Sequence, residues 1–152
     1  MGLDMYLYAT KYLSPFSNEE SGDRYVGVLS AMGFKEVPVK CHAASVEVKI
    51  PVAYWRKANA VHDWFVRVCQ EGKDECQESY VSRDQLVQLR EACKAAKLDG
   101  GKSLPPKDGF FFGSTQIDDY YYQDLDDTIK NITAILENPQ LLDWDFAYRA
   151  SW

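Results

Sequence analysis

Residues 3–9 read Leu-Asp-Met-Tyr-Leu-Tyr-Ala, and residues 146–152 read Phe-Ala-Tyr-Arg-Ala-Ser-Trp. In the first stretch Leu3, Met5, Leu7 and Ala9 alternate with Asp4, Tyr6 and Tyr8. In the second, Phe146, Tyr148, Ala150 and Trp152 oppose Ala147, Arg149 and Ser151. A period of two sets one group on the core face of a strand and the other toward water. Residues 45–50 repeat the pattern, with Val46, Val48 and Ile50 inward and Ser45, Glu47 and Lys49 outward. Phe110, Phe111 and Phe112, bracketed by Gly109 and Gly113, read as a short central strand that is apolar on both faces.

Between these strands the apolar period changes to that of a helix. Tyr25, Val28, Leu29 and Met32 mark a first helix over 23–32 that stops at Gly33. A second opens at Pro51, runs over 52–71 and carries Tyr54, Ala58, Val61, Phe65, Val68 and Cys69 at helical spacing. Ser82 followed by Gln85 is a capping box, and it starts a third helix with Leu86, Leu89, Cys93 and Ala96 inward. A fourth spans about Asp119 to Glu137 and buries Tyr121, Leu125, Ile129, Ile132 and Leu136. Strands at both termini with four helices between them predict an α+β fold: one domain over residues 1–152, its small, mostly antiparallel sheet containing both terminal strands.

The composition agrees. A chain of 152 residues with 46% hydrophobic and 26% charged residues is globular and can bury a sizeable core without metal or disulfides. A net charge of −6 argues against a general nucleic-acid backbone binder and against a basic membrane-surface protein. The N-terminal residues lack a secretory pattern and no apolar run reaches membrane length, so the sequence points to the cytoplasm. Cys41, Cys69, Cys76 and Cys93 show no Cys-x-x-Cys pair and read as free thiols. With two histidines, His42 and His62, a His-rich metal centre is excluded. No metal and no cofactor is expected.

Three constellations carry chemistry. In Tyr54–Phe65, Trp55, Asn59 and His62 fall on one helical strip, while Arg56, Asn59 and Asp63 lie on the more exposed side. A stacking plane, a rigid cationic fork, an amide and a titratable imidazole are the groups a nucleotide or acidic-peptide pocket uses. The competing reading makes the two Trp half-buried packing residues and His62 a satisfied structural imidazole. Gly109–Thr115 has the look of a close-approach loop, with Ser114 as its hydroxyl, although a P-loop ending is missing. Asp118–Asp127 holds five carboxylates and three tyrosines without one cation. Capping of a helix start explains its first members; a divalent-metal site and an acidic–aromatic docking patch with Tyr120 and Tyr122 are the competing readings, and in a nucleotide site Asp124 would orient His62 or hold Mg²⁺.

Four stretches taken together, Met1–Leu7, Tyr54–His62, Gly109–Ser114 and Tyr148–Trp152, resemble a family of small uncharacterised proteins encoded by bacteriophages and prophages. The resemblance implies a phage setting and the cytoplasm of a bacterial host; it brings no catalytic residue. The sequence therefore points to a non-enzymatic phage accessory protein that binds a host or phage macromolecule, including a host defence factor, or sequesters a small ligand. Its surplus of Tyr and Trp supports that reading. The alternative is a nucleotide-binding protein or enzyme that uses a Trp, Arg and His pocket on the 52–71 helix. Trp55, Arg56, Asn59, His62, Ser114, Tyr120, Tyr122 and Asp124 are the candidate ligand or partner residues. Neither direct non-specific nucleic-acid binding nor membrane association is expected, and a homo-oligomer is compatible with the sequence.

Overall fold

The computed structural model describes residues 2–36 and 41–152, so Met1 of the opening motif lies outside it. The elements run β1 (Asp4–Leu13), α1 (Glu19–Ala31), β2 (Val46–Arg56), α2 (Asn59–Cys69), β3 (Ser79–Val81), α3 (Arg83–Asp99), α4 (Asp119–Glu137), a 3-10 turn (Pro139–Leu141) and β4 (Asp145–Ser151). The strands form one antiparallel sheet in the order β2-β1-β4-β3, so both terminal strands lie side by side at its centre. The chain is an α+β fold with four α-helices among the described residues. Its contacts divide into two compact units, Met1–Ala9 with Pro51–Trp152, and Thr10–Ile50.

The larger unit owes its core to the alternation of its strands. Leu3, Met5, Leu7 and Ala9 of β1 and Phe146, Tyr148 and Ala150 of β4 are buried on one face. Against them pack Val61 and Phe65 of α2, Leu86, Leu89, Cys93 and Ala96 of α3, and Leu125 and Ile132 of α4. Tyr148 stacks on Phe65 with ring centroids 3.9 Å apart. The capping box forms as read, with Ser82 accepting from Gln85 N and Gln85 returning a bond to Ser82 N. Asp118 caps α4 by accepting from Tyr121 N at 3.1 Å. β3, a three-residue strand unmarked in the sequence pattern, pairs antiparallel with β4 through Ser79–Tyr148, Tyr80–Ala147 and Val81–Phe146.

In the smaller unit, α1 starts at Glu19, four residues before the expected 23, behind the cap Asn18, whose side chain accepts from Ser21 N. Tyr25 and Leu29 pack on Leu13 and on the half-buried Val28, Val46 and Val48. Met32 and Ile50, both expected inside, are exposed.

Two sequence readings are corrected. Residues 51–56 continue strand β2, and the helix begins only at Asn59. β2 is an edge strand, where a proline's missing N–H costs no ladder bond, and Lys57 at φ 59° turns the chain out of the strand. Tyr54 consequently points to water while Trp55 is buried. Phe110–Phe112 form a turn instead of a strand, closed by Phe112 N donating to Gly109 O at 3.1 Å, with Phe110 96% exposed.

Candidate functional site

The turn at 109–113 is tied to β1, to the segment entering α2 and to Trp152, all in the larger unit. Leu3 N donates to Phe111 O at 3.1 Å, and Lys57 N donates to Leu3 O at 2.8 Å. Asn59, buried at the start of α2, holds the turn from inside. Its Nδ2 donates to Phe112 O at 3.1 Å and to Ser114 O at 2.8 Å, and its Oδ1 accepts from Lys107 N at 3.0 Å. Gly113, at φ 89°, passes so close to Lys57 that an added Cβ would sit 3.1 Å from the Lys57 Cβ. Phe112 meets the Trp152 ring edge-on at 6.2 Å.

This arrangement builds a cleft of about 270 Å³. One wall is Arg56, Lys57 and the first turn of α2; the others are Gly113, Ser114 and Gln116, and then Asp118, Tyr120, Tyr121 and Asp124 of the α4 start. Ala58 at the N-cap of α2 has no side chain to cap with, and the first turn carries no acidic residue. An uncapped helix start leaves N–H groups and a partial positive charge at its end. Neither Arg56 nor Lys57 makes an ion pair among the described residues. Tyr120 stands 78% exposed.

Asp124 is the unusual acid of the cleft. Burial, and then the neighbouring charges of Asp127 and Asp118, push its carboxyl up to about 6. Among the described residues no donor meets that carboxyl; its hydrogen-bonded atom is the main-chain oxygen, which accepts from Thr128 Oγ1 at 2.6 Å.

Of the residues singled out by sequence, Arg56, Asn59, Ser114, Tyr120 and Asp124 line the cleft. Trp55 does not: it is 4% exposed and its indole N–H donates to Thr128 Oγ1 at 2.8 Å. Tyr122 is half-buried and meets Tyr121 edge-on at 5.3 Å, away from the lining set. Asn59 reaches the cleft wall, but its amide is committed to the turn. Lys57, read beside Arg56 as a cation able to neutralise a phosphate, lines the cleft as well. Gln116 and Asp118 join it without having been singled out as ligand residues, and Gln116 had no sequence signal.

His62 belongs elsewhere. It is 1% exposed and bridges Tyr148 Oη, 2.7 Å from Nδ1, and Asp74 Oδ2, 2.9 Å from Nε2. A ring that donates from Nε2 to the carboxylate and accepts at Nδ1 from the Tyr148 hydroxyl satisfies both contacts. Burial, and next Asp74, raise Tyr148 well above the ordinary phenol range. The other oxygen of Asp74 accepts from Trp152 Nε1 at 3.1 Å. His62, Asp63, Arg67, Asp74 and Lys107 line a second cavity of about 210 Å³ that shares no residue with the cleft.

Cys69 and Cys93 are pushed up to about 11 and about 12 by burial, which makes them poor nucleophiles. Among the described residues no three His, Cys, Asp or Glu side chains gather to hold a metal ion, and no helix is long and apolar enough to cross a membrane. Compared with known proteins, the chain matches no family model, no curated protein and no solved structure.

Proposed function

We propose that the protein acts by binding and not by turnover, taking a small anion-bearing ligand into the cleft between the start of α2 and the start of α4. The observation that carries this is the pair of adjacent cations, Arg56 and Lys57, on a concave wall without an ion-pair partner among the described residues. A guanidinium offers a planar fork and an ammonium a mobile point charge, a combination suited to phosphate, sulfate or carboxylate. The uncapped first turn of α2 adds a favourable field for the same charge. Tyr120 stands at the cleft with an open ring face for a ligand's apolar part.

The enzymatic nucleotide reading required Trp55 to stack a base and His62 to move a proton beside Arg56, Ser114 and Asp124. That constellation does not form, because Trp55 is a core residue and His62 faces the other cavity. The resemblance of the four sequence stretches to phage proteins supports a setting in the cytoplasm of an infected bacterium, where a ligand-sequestering protein acts stoichiometrically. Tyr120, 78% exposed, and Phe110, 96% exposed, favour a second reading, in which a host or phage protein docks on these side chains.

Native mass spectrometry of the protein purified from a bacterial host tests the first reading. The expected result is a small-molecule adduct that denaturation releases and that Arg56→Ala lacks. An adduct retained equally by Arg56→Ala would contradict it. A protein partner captured by the native chain and lost in Tyr120→Ala would support the second.

A further inference from the structure

The same cleft holds more than a site for negative charge. Its two carboxylates differ in their surroundings. Asp118 accepts from Tyr121 N and sits at the positive end of α4. Asp124 is set six residues further along, half-buried, with no hydrogen-bond or ion-pair partner for its carboxyl among the described residues. It lines the cleft together with Arg56 and Lys57, yet pairs with neither. A purely anionic ligand would satisfy the cations and bring its charge toward a half-buried acid. A ligand with an anionic group at one end and a proton-donating nitrogen at the other would satisfy both sides at once.

We propose that the cleft selects an amphoteric ligand, with its anionic group on Arg56 and Lys57 and an ammonium or amino group donating to the Asp124 carboxylate. This rests on the cleft being the binding site. A volume of about 270 Å³ limits the ligand to a small metabolite, below the size of a dinucleotide. The charged and titratable groups that line the cleft with Asp124 are Arg56 at the end of β2, Lys57 just after it, and Asp118, Tyr120 and Tyr121 at the start of α4; Asp127 and Asp118 act on the carboxyl through their charge.

The sign of the pH dependence separates the two ligand types. Burial first, then Asp127 and Asp118, hold the Asp124 carboxyl at about 6, so it gains its charge on passing from mildly acidic to mildly basic solution. An amphoteric ligand binds the charged form better and tightens as pH rises; an anion without a donor is repelled and weakens.

Taurine, whose ammonium and sulfonate keep their charges over this range, and sulfate are suitable probes, titrated into the protein and followed by its amide NMR shifts. For taurine the affinity is expected to rise about tenfold between about pH 5 and about pH 8, following the charged fraction of Asp124, while that for sulfate falls. Asp124→Asn should flatten both profiles. If Arg56→Ala weakens both probes but taurine shows no rise with pH, the cleft remains the site and the amphoteric assignment is overturned. If Arg56→Ala weakens neither, or neither probe binds saturably, the cleft reading falls with it.

Discussion

Replacing Asn59 tests how the cleft wall is held. Asn59→Ala removes three hydrogen bonds to the 107–114 segment: two donated by Nδ2 and one accepted by Oδ1. Lys107 and Ser114 are exposed residues, so their freed main-chain groups regain water and each loss is worth roughly 0.5–1 kcal/mol. Phe112 is buried, and leaving its carbonyl without a donor costs about 1–3 kcal/mol. Alanine's better helix propensity at the start of α2 returns only about 0.5 kcal/mol. The net loss is about 3 kcal/mol, which for a domain of this size lowers Tm by roughly 6–12 °C.

Asn59→Asp sharpens the test. The side chain keeps its shape and its acceptor for Lys107 N, but the two donors disappear and a carboxylate faces two carbonyl oxygens. It should therefore destabilise at least as much as alanine at neutral pH. Thermal unfolding followed by circular dichroism reads both variants. A Tm within about 2 °C of the native protein for Asn59→Ala, or an aspartate variant as stable as the native chain, would refute this account of the turn.

The remaining predictions concern the cleft and the sheet. Asp124 has a carboxyl raised to about 6 in the folded chain, so the folded state holds a proton that the unfolded state has released. Stability from this group is therefore lost as pH rises from about 4 to about 6, and above that window the cost, discounted for partial exposure, is about 2 kcal/mol. Asp124→Asn should raise Tm by roughly 4–8 °C at about pH 7.5 and by almost nothing at about pH 4; an equal gain at both, or a loss at the higher pH, would count against it. Arg56→Ala should leave Tm within about 2 °C, because the exposed guanidinium makes no ion pair among the described residues, while removing ligand binding. A large drop in Tm would show that Arg56 is structural. Deleting residues 148–152 takes away the fully buried Tyr148, its stacking on Phe65 and its bond to His62. The shortened chain should lose its near-UV circular dichroism, and a retained spectrum would contradict the central place of β4.

The parts of the fold that could be read from sequence are those where two local signals agree. In α3 and α4 a polar cap precedes a sustained 3.6-residue apolar stripe, and both helices start where their caps stand. In β1 strict alternation continues long enough to fix which face is buried, and in β4 it does so for Phe146, Tyr148 and Ala150, although Ala147, read as outward, is buried too and Trp152, read as inward, is exposed. Residues 51–69 misled because the spacing of Tyr54, Ala58, Val61 and Phe65 suits a helix while the first of them lies in a strand. The turn is made at Lys57, whose left-handed backbone no propensity marks. Reading 52–56 as helix also exchanged the roles of Tyr54 and Trp55. On the strand the indole shares the inward face with Ala53.

The site was legible to the extent that it is local. Arg56 and Asp124 were singled out by residue type, and Ser114 by its place after a glycine turn. His62 shared their helical neighbourhood in sequence, but only the path of loop 70–78, which brings in Asp74, and of β4, which brings in Tyr148, decides that it faces away. The convergence of Leu3, Lys57, Asn59 and Phe112 on one turn is a long-range fact with no local signature.

Amide shift mapping on the isotope-labelled protein, with taurine as titrant at about pH 8 where Asp124 is charged, addresses the central claim most directly. Saturable shifts should cluster at Lys57–Val61, at Gly113–Ser114 and along the start of α4 around Asp124, and Arg56→Ala should abolish them. Saturable shifts confined to the cavity beside His62 and Lys107, or none in the cleft at all, would contradict the claim that the cleft binds the ligand.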